Sequence, residues 1–193
     1  MRWPLYKNID VNTWEMRLNS VLAESQIEKI LSYADVTDSK SAEVLSTDNT
    51  KDSSVRRSKI LFLDFNEFSD IYACIQEAVR YVNDNYYKWR LDSLEGLQYA
   101  EYSSTDQGFY ACHTDSSLKG YSGSVRKLSF SILLSDDFEG GDLKFHNFDQ
   151  GHTINLNKGD AVFFPSFMPH SVEPVTKGIR KSLVGWIQGP DFV

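Results

Sequence analysis

Gly159-Asp160-Ala161-Val162-Phe163-Phe164-Pro165-Ser166-Phe167-Met168-Pro169-His170-Ser171-Val172-Glu173-Pro174-Val175-Thr176-Lys177-Gly178-Ile179-Arg180-Lys181-Ser182 decides the reading of this chain. It contains short β-rich pieces over 161–164 and 171–175 and the start of a third over 179–187, separated by Pro, Ser and Gly that end strands and set turns. The same texture extends back to residue 97, with further pieces over 97–102, 109–114, 127–134, 142–145 and 153–156. Short strands at this spacing predict an all-β sandwich or barrel. No repeat of 20–50 residues is visible.

Upstream the periodicity changes. Ser25-Gln26-Ile27-Glu28 reads as a capping box, and Ile27, Ile30, Leu31 and Ala34 follow at helical spacing, predicting a first helix over 26–33. Phe68, Ile71, Tyr72, Ile75, Val79 and Val82 form an apolar stripe for a second helix that starts near Asn66 or Ser69 and ends near Asn85. Between them, 35–57 is rich in Ser, Thr, Asp, Asn and Lys, the composition of a long, poorly ordered exposed loop outside any catalytic core. The expected plan is mainly β with N-terminal helices, one globular unit in which 1–95 supports a β domain over 96–190.

The 193 residues are 41% hydrophobic and 24% charged, enough for one well-cored domain. No apolar run approaches the roughly 18 residues of a membrane span. The first eight residues lack an apolar signal core, and a cytoplasmic location is expected. Net charge is −7, and the one basic cluster, Arg56-Arg57-Ser58-Lys59, reads as a solvated lead-in to a strand, so neither a nucleic acid nor a membrane is expected as partner. Cys74 and Cys112 are too few for a disulfide framework and read as buried thiols.

All four histidines lie in the β half. In His113-Thr114-Asp115, residues i and i+2 share a strand face, so an imidazole and a carboxylate converge on one ion. With a second histidine they would make the two-histidine, one-carboxylate set of non-haem Fe(II) oxygenases, and His170 is the leading candidate. His146 and His152 flank a loop, face no obvious carboxylate, and read as surface or hairpin residues.

Four features together resemble the iron(II) and 2-oxoglutarate dependent dioxygenases of the prolyl 4-hydroxylase-like branch. They are His113-x-Asp115, the turn Glu139-Gly140-Gly141-Asp142-Leu143, the run 159–165, and His170 followed ten residues on by Arg180. The likeness is strongest over 97–190. It implies a double-stranded β-helix (jelly-roll) core, with His113, Asp115 and His170 as iron ligands and Arg180 holding the distal carboxylate of 2-oxoglutarate. Arg180 suits that role because a planar guanidinium meets a carboxylate with two parallel hydrogen bonds. Ser182, on the same strand face, adds a hydroxyl to that carboxylate, and Tyr102 donates to the cosubstrate near the metal. Trp186 would wall the substrate side. One departure is that 128–134 carries no tyrosine, leaving only Ser131 as a substitute beside the arginine.

The resemblance implies that Fe(II), 2-oxoglutarate and O2 together hydroxylate a C–H bond, most naturally of a prolyl residue in a peptide or protein, releasing succinate and CO2. A free amino acid or small metabolite is the alternative substrate. A non-catalytic cupin-like module binding a metal or sugar is the rival of another class, and a structural phage or cell-surface β-domain a third. Arg180 argues against the cupin-like module, which needs no buried guanidinium ten residues past a ligand, and the set His113, Asp115, His170 and Arg180 argues against the structural domain. The stretch 116–125, with Gly120 and Gly123, reads as a lid beside the metal.

Overall fold

Strand alternation built this molecule. The structure, a computed structural model, describes residues 14–37, 40–42, 44–45, 51–52, 54–116, 124–146 and 151–191. Its strands are β1 (Met16–Leu18), β2 (Lys40–Ala42), β3 (Val44–Leu45), β4 (Lys51–Asp52), β5 (Arg56–Phe62), β6 (Ser93–Leu94), β7 (Gln98–Ser103) and β8 (Phe109–His113). They continue as β9 (Ser124–Leu133), β10 (Phe138–Gly140), β11 (Leu143–Phe145), β12 (His152–Ile154), β13 (Ala161–Pro165), β14 (His170–Val172) and β15 (Val175–Pro190). All eight strands expected after residue 96 are present, with ends shifted by a few residues.

The pairing is antiparallel and curls into two facing layers. The larger layer runs β1-β13-β9-β15-β7-β5, and the smaller β5-β8-β14-β11-β12. Strand β5 is the seam, because Lys59 to Phe62 pair with β7 while Arg56 and Arg57 pair with β8. This is the jelly-roll arrangement expected.

Each strand of the larger layer sorts its side chains by parity. On β13, Ala161 and Phe163 enter the core under the helices, and Val162 and Phe164 enter the core between the layers. On β15, Leu183 and Ile187 face the helices, whereas Arg180, Ser182, Val184 and Trp186 face a cavity between the layers. Fully burying one such Ile, Leu or Phe is worth roughly 1.5–3 kcal/mol, so a one-residue slip of β15 would be heavily disfavoured.

Helices α1 (Glu24–Val36) and α2 (Ser69–Val82) cover the outer face of the larger layer with Ile27, Ile30, Ile71, Tyr72, Ile75 and Val82. Helix α1 starts two residues earlier than expected. Its start is capped by Gln26, whose Oε1 accepts the Ala23 N–H at 3.0 Å, rather than by the Ser25/Glu28 box. After α2 a π-helical turn (Asn83–Tyr87) ends at Lys88 in the left-handed region. No helix among the described residues is long and apolar enough to cross a membrane.

The expectation of a long, poorly ordered loop over 35–57 is corrected for its described part, while 38–39, 43, 46–50 and 53 lie outside the described residues. Helix α1 extends to Val36, β2 pairs with β5, β3 pairs with β4, and β5 begins at Arg56. The run of charges in Arg56-Arg57-Ser58-Lys59 hid a period of two in which Ile60 alone of the first inward positions is apolar. The expectation of two buried thiols fails for Cys112, which is exposed; Cys74 is partly buried. The expected lid over 116–125 lies, except at its two ends, outside the described residues.

Candidate metal centre and its cavity

Two register shifts aim the side chains of this site. His113 on β8 is the cross-strand partner of His170 on β14, but two positions further along β14 Val172 is paired with Tyr110, three positions back on β8. One extra residue in β8 makes a bulge, which reverses the side-chain phase. Tyr110 and His113 therefore both face inward, Cys112 is turned out, and the Tyr110 ring stacks on the His113 ring at 3.6 Å. A second bulge lies where Ile187 pairs with Leu128 and Gln188 with Arg126, skipping Lys127 on β9. It brings Arg126 onto the cavity lining.

Asp115 follows the end of β8, where its N–H and that of Ser116 both donate to the Ser166 carbonyl, at 2.8 and 2.9 Å. The turn holds the carboxylate against both imidazoles. The Asp115 oxygens lie 3.6 Å from His113 Nε2 and 3.6 Å from His170 Nε2, and the two imidazole rings are 4.3 Å apart. One ligand atom from each of the three residues fits within 4.8 Å of the others.

The protonation states suit a cation. His113 Nδ1 lies 2.8 Å from the Ala111 carbonyl and His170 Nδ1 2.9 Å from the Met168 carbonyl. A carbonyl only accepts, so each Nδ1 carries the hydrogen and each Nε2 presents its lone pair to the centre. Burial pushes the His170 pKa down and favours the neutral ring. Burial alone would raise the Asp115 pKa, but the two facing imidazoles and the Ser129 hydroxyl outweigh it and hold it at about 2. A carboxylate beside two free imidazole lone pairs is a donor set for Fe(II).

The cluster opens into a cavity of about 330 Å³ between the layers. Arg180, 3% exposed, projects into it from β15, and its Nη1 donates to Ser182 Oγ at 3.1 Å. No carboxylate lies within ion-pair distance of Arg180 among the described residues. A buried guanidinium left with one hydroxyl partner is a strong receptor for an anion. Tyr102 is directly opposite Arg180 in the β7–β15 register, its ring centroid 5.8 Å from the guanidinium carbon. Ser131 and Trp186 also line the cavity, and Trp186 carries Arg126 over its ring at 4.0 Å.

Residues 97–188 match the family model of the 2OG-Fe(II) oxygenase superfamily. The match spans 92 of the 193 residues, just under half of the chain. The family's name supplies the two groups, Fe(II) and 2-oxoglutarate, that the three-ligand cluster and the buried guanidinium fit. The chain is 39% identical over 82 residues to a PKHD-type hydroxylase of Idiomarina loihiensis, covering 42% of this chain and 37% of that protein. It is 40% identical over 85 residues to a PKHD-type hydroxylase of a Synechococcus, again covering 42% and 37%. The chain thus aligns with well under half the length of these curated relatives. Among solved structures it resembles a Pseudomonas putida prolyl-4-hydroxylase, with TM-score 0.72, 20% identity, and coverage of 92% of this chain and 94% of that one. It likewise resembles a prolyl hydroxylase from Trichoplax adhaerens solved with a hypoxia inducible factor peptide, with TM-score 0.74, 17% identity, and coverage of 92% and 84%. The fold of this chain is that of these prolyl hydroxylases.

The sequence-predicted residues His113, Asp115, His170, Arg180, Tyr102, Ser182 and Trp186 all line this one cavity. His152 is the hairpin residue expected, on β12 and outside the cluster, but the expectation that it faces no carboxylate is corrected. Its Nε2–H donates to Glu15 Oε1 at 3.0 Å, a carboxylate 137 positions away that strand β1 brings beside β12. His146 bonds to Ser171 Oγ at 2.9 Å and stands apart from the cluster. Sequence reasoning missed Arg56, Tyr110, Glu95 and Arg126 as cavity residues. The inward phase of Arg56 was readable from Ile60 four positions on; Tyr110 and Arg126 depend on bulges that carry no sequence mark.

Proposed function

We propose that this protein is a 2-oxoglutarate-dependent dioxygenase that hydroxylates a C–H bond, most specifically of a prolyl residue in a peptide or protein. The observation that carries this is one cavity holding a two-histidine, one-carboxylate cluster and a buried arginine with no carboxylate partner among the described residues. His113, Asp115 and His170 would hold Fe(II), and Arg180 with Ser182 would receive the distal carboxylate of 2-oxoglutarate, with Tyr102 alongside. Iron with 2-oxoglutarate and O2 supplies the C–H oxidation, with succinate and CO2 as co-products.

The chain's own groups orient and exclude. The Nδ1 hydrogen bonds to Ala111 and Met168 fix both imidazoles, so little reorganisation accompanies metal binding. Leu143, Phe164 and Val172 line the cavity as apolar walls that keep water from the reacting centre. Trp186, with Arg126 over one face, offers its other face to a ring such as proline, and Tyr110, sandwiched between His113 and Arg56, offers only its edge. The prolyl reading draws support from the PKHD-type hydroxylase relatives and from the prolyl hydroxylase fold. A non-catalytic metal binder would have no use for Arg180.

Anaerobic addition of Fe(II) and 2-oxoglutarate to the purified protein tests this reading. A weak visible charge-transfer band that needs both additions is expected, followed on admitting oxygen by succinate release. A protein that binds Fe(II) but gives neither band nor succinate would overturn it.

A further inference from the structure

We propose that Arg56 receives a carboxylate of the substrate, so that the favoured substrate carries a negative charge close to the carbon being hydroxylated. The inference rests on the oxygenase reading and adds the substrate's charge to it.

The charged groups lining the cavity fall into sets. Glu95 and Arg126 neutralise one another through two parallel hydrogen bonds of 2.8 and 2.7 Å, and Gln188 also donates to Glu95. Asp115 faces the two imidazoles, and Arg180 lies at the inner end beside Ser182. Arg56 is left over. Its Nε donates to Ser58 Oγ at 2.7 Å and its Nη2 to Gln98 Oε1 at 3.3 Å, both neutral, and no carboxylate is within ion-pair distance of it among the described residues. A guanidinium has five N–H donors, so this one keeps Nη1 and half of Nη2 for a ligand.

Its position is equally specific. Arg56 is the cross-strand partner of Tyr110, and its guanidinium carbon lies 4.5 Å from the Tyr110 ring centroid. The other neighbour of that ring is His113, stacked at 3.6 Å. One aromatic ring therefore separates the free cation from an imidazole of the metal cluster. A half-buried cation bonded only to neutral groups, on the cavity wall of a protein with net charge −7, attracts an anion that the rest of the chain would repel. The carboxylate could be an acidic side chain flanking the target residue in a peptide, or the free carboxylate of a C-terminal residue or amino acid.

Selection from a defined mixture separates these sources. The mixture holds N-acetylated, C-amidated Ala-Ala-X-Pro-X-Ala-Ala with X as Asp, Asn or Lys, Ala-Ala-Pro with a free or an amidated C-terminus, and free L-proline. It is passed over immobilised full-length protein loaded with Mn(II) and 2-oxoglutarate, and the retained compounds are quantified by mass spectrometry. At least one carboxylate-bearing compound should be enriched about 10-fold or more over its neutral partner. The compound retained identifies the source. Arg56→Gln should bring that ratio to within about 2-fold, and Arg56→Glu should favour the Lys peptide. Circular dichroism of both variants checks that they fold. Equal retention of charged and neutral partners, retention of none of the carboxylates, or an acidic preference that survives in Arg56→Gln would overturn the assignment. Succinate release by wild-type protein with Fe(II), 2-oxoglutarate and O2 alone reports separately on the oxygenase reading, so failure of one is not mistaken for failure of the other.

Discussion

His113 and His170 are direct cross-strand partners on β8 and β14, with their rings 4.3 Å apart and both Nε2 atoms turned toward Asp115. Two strands 57 positions apart in sequence thus hold the ligand atoms by backbone hydrogen bonds rather than by a flexible loop. Asp115→Ala or His170→Ala should lower Fe(II) affinity by more than about 100-fold, beyond the ~10–100-fold typical of losing an outer-sphere partner. Far-UV circular dichroism should be unchanged. Isothermal titration with Fe(II) under argon checks this, and near-wild-type affinity in either variant would refute the ligand assignment.

Arg180 should govern cosubstrate binding without affecting the metal. Truncating one partner of a desolvated charge pair costs on the order of 2–5 kcal/mol, so Arg180→Ala should weaken 2-oxoglutarate binding by roughly 30-fold to several thousand-fold. Arg180→Lys should be impaired less, because an ammonium cannot form the guanidinium fork. Fe(II) titrations should match wild type in both. Unchanged 2-oxoglutarate affinity in Arg180→Ala would show that the guanidinium serves another purpose.

Gly141 sets where the Arg180 side chain lies. A methyl group at Gly141 would come within 2.9 Å of Arg180 Cδ and 2.9 Å of Val175 Cγ2, and the residue sits at φ +65°. Gly140 shares the positive φ, at +72°, but a methyl there meets Pro174 and Thr176 instead. Gly141→Ala should therefore raise the 2-oxoglutarate KM about 10-fold or more, while Gly140→Ala should cost stability, on the order of 1 kcal/mol, with less change in KM. Equal KM values in the two variants would mean that Gly141 acts only through backbone strain.

The His152–Glu15 contact should be a stability element remote from the cluster. The Glu15 side chain is 2% exposed, its Oε1 accepts from His152, and its Oε2 has no hydrogen-bond partner among the described residues. His152→Ala leaves a buried carboxylate with less compensation and should destabilise the fold by about 1–3 kcal/mol. Glu15→Leu, which removes the buried charge itself, should be tolerated better than His152→Ala. Thermal melts of the two variants decide the order, and 2-oxoglutarate affinity should move in neither.

The ligands and the cosubstrate arginine were legible because their signals are local: His113-x-Asp115 at a strand end, and His170 ten positions before Arg180 along a second β stretch. Parity along β15 then placed Arg180, Ser182 and Trp186 on one face from the sequence alone. Eight of the nine strands described after residue 96 and the two helix positions followed from periodicity, which survives in a single sequence because burial demands it; the short β10 and the strands β1–β6 did not.

What only the tertiary structure decided are the features that break periodicity or join distant segments. The bulge in β8 puts Tyr110 beside His113 and turns Cys112 outward, and the bulge in β9 puts Arg126 over Trp186. An extra residue in a strand reverses the phase of everything beyond it, and its location is set by pairing with a neighbour rather than by any residue type. The 35–57 stretch misled for a related reason. Arg56 is held by Gln98 and Tyr110, 42 and 54 positions away, so its place on the cavity wall comes from the strands on either side of β5 rather than from its charged sequence neighbours.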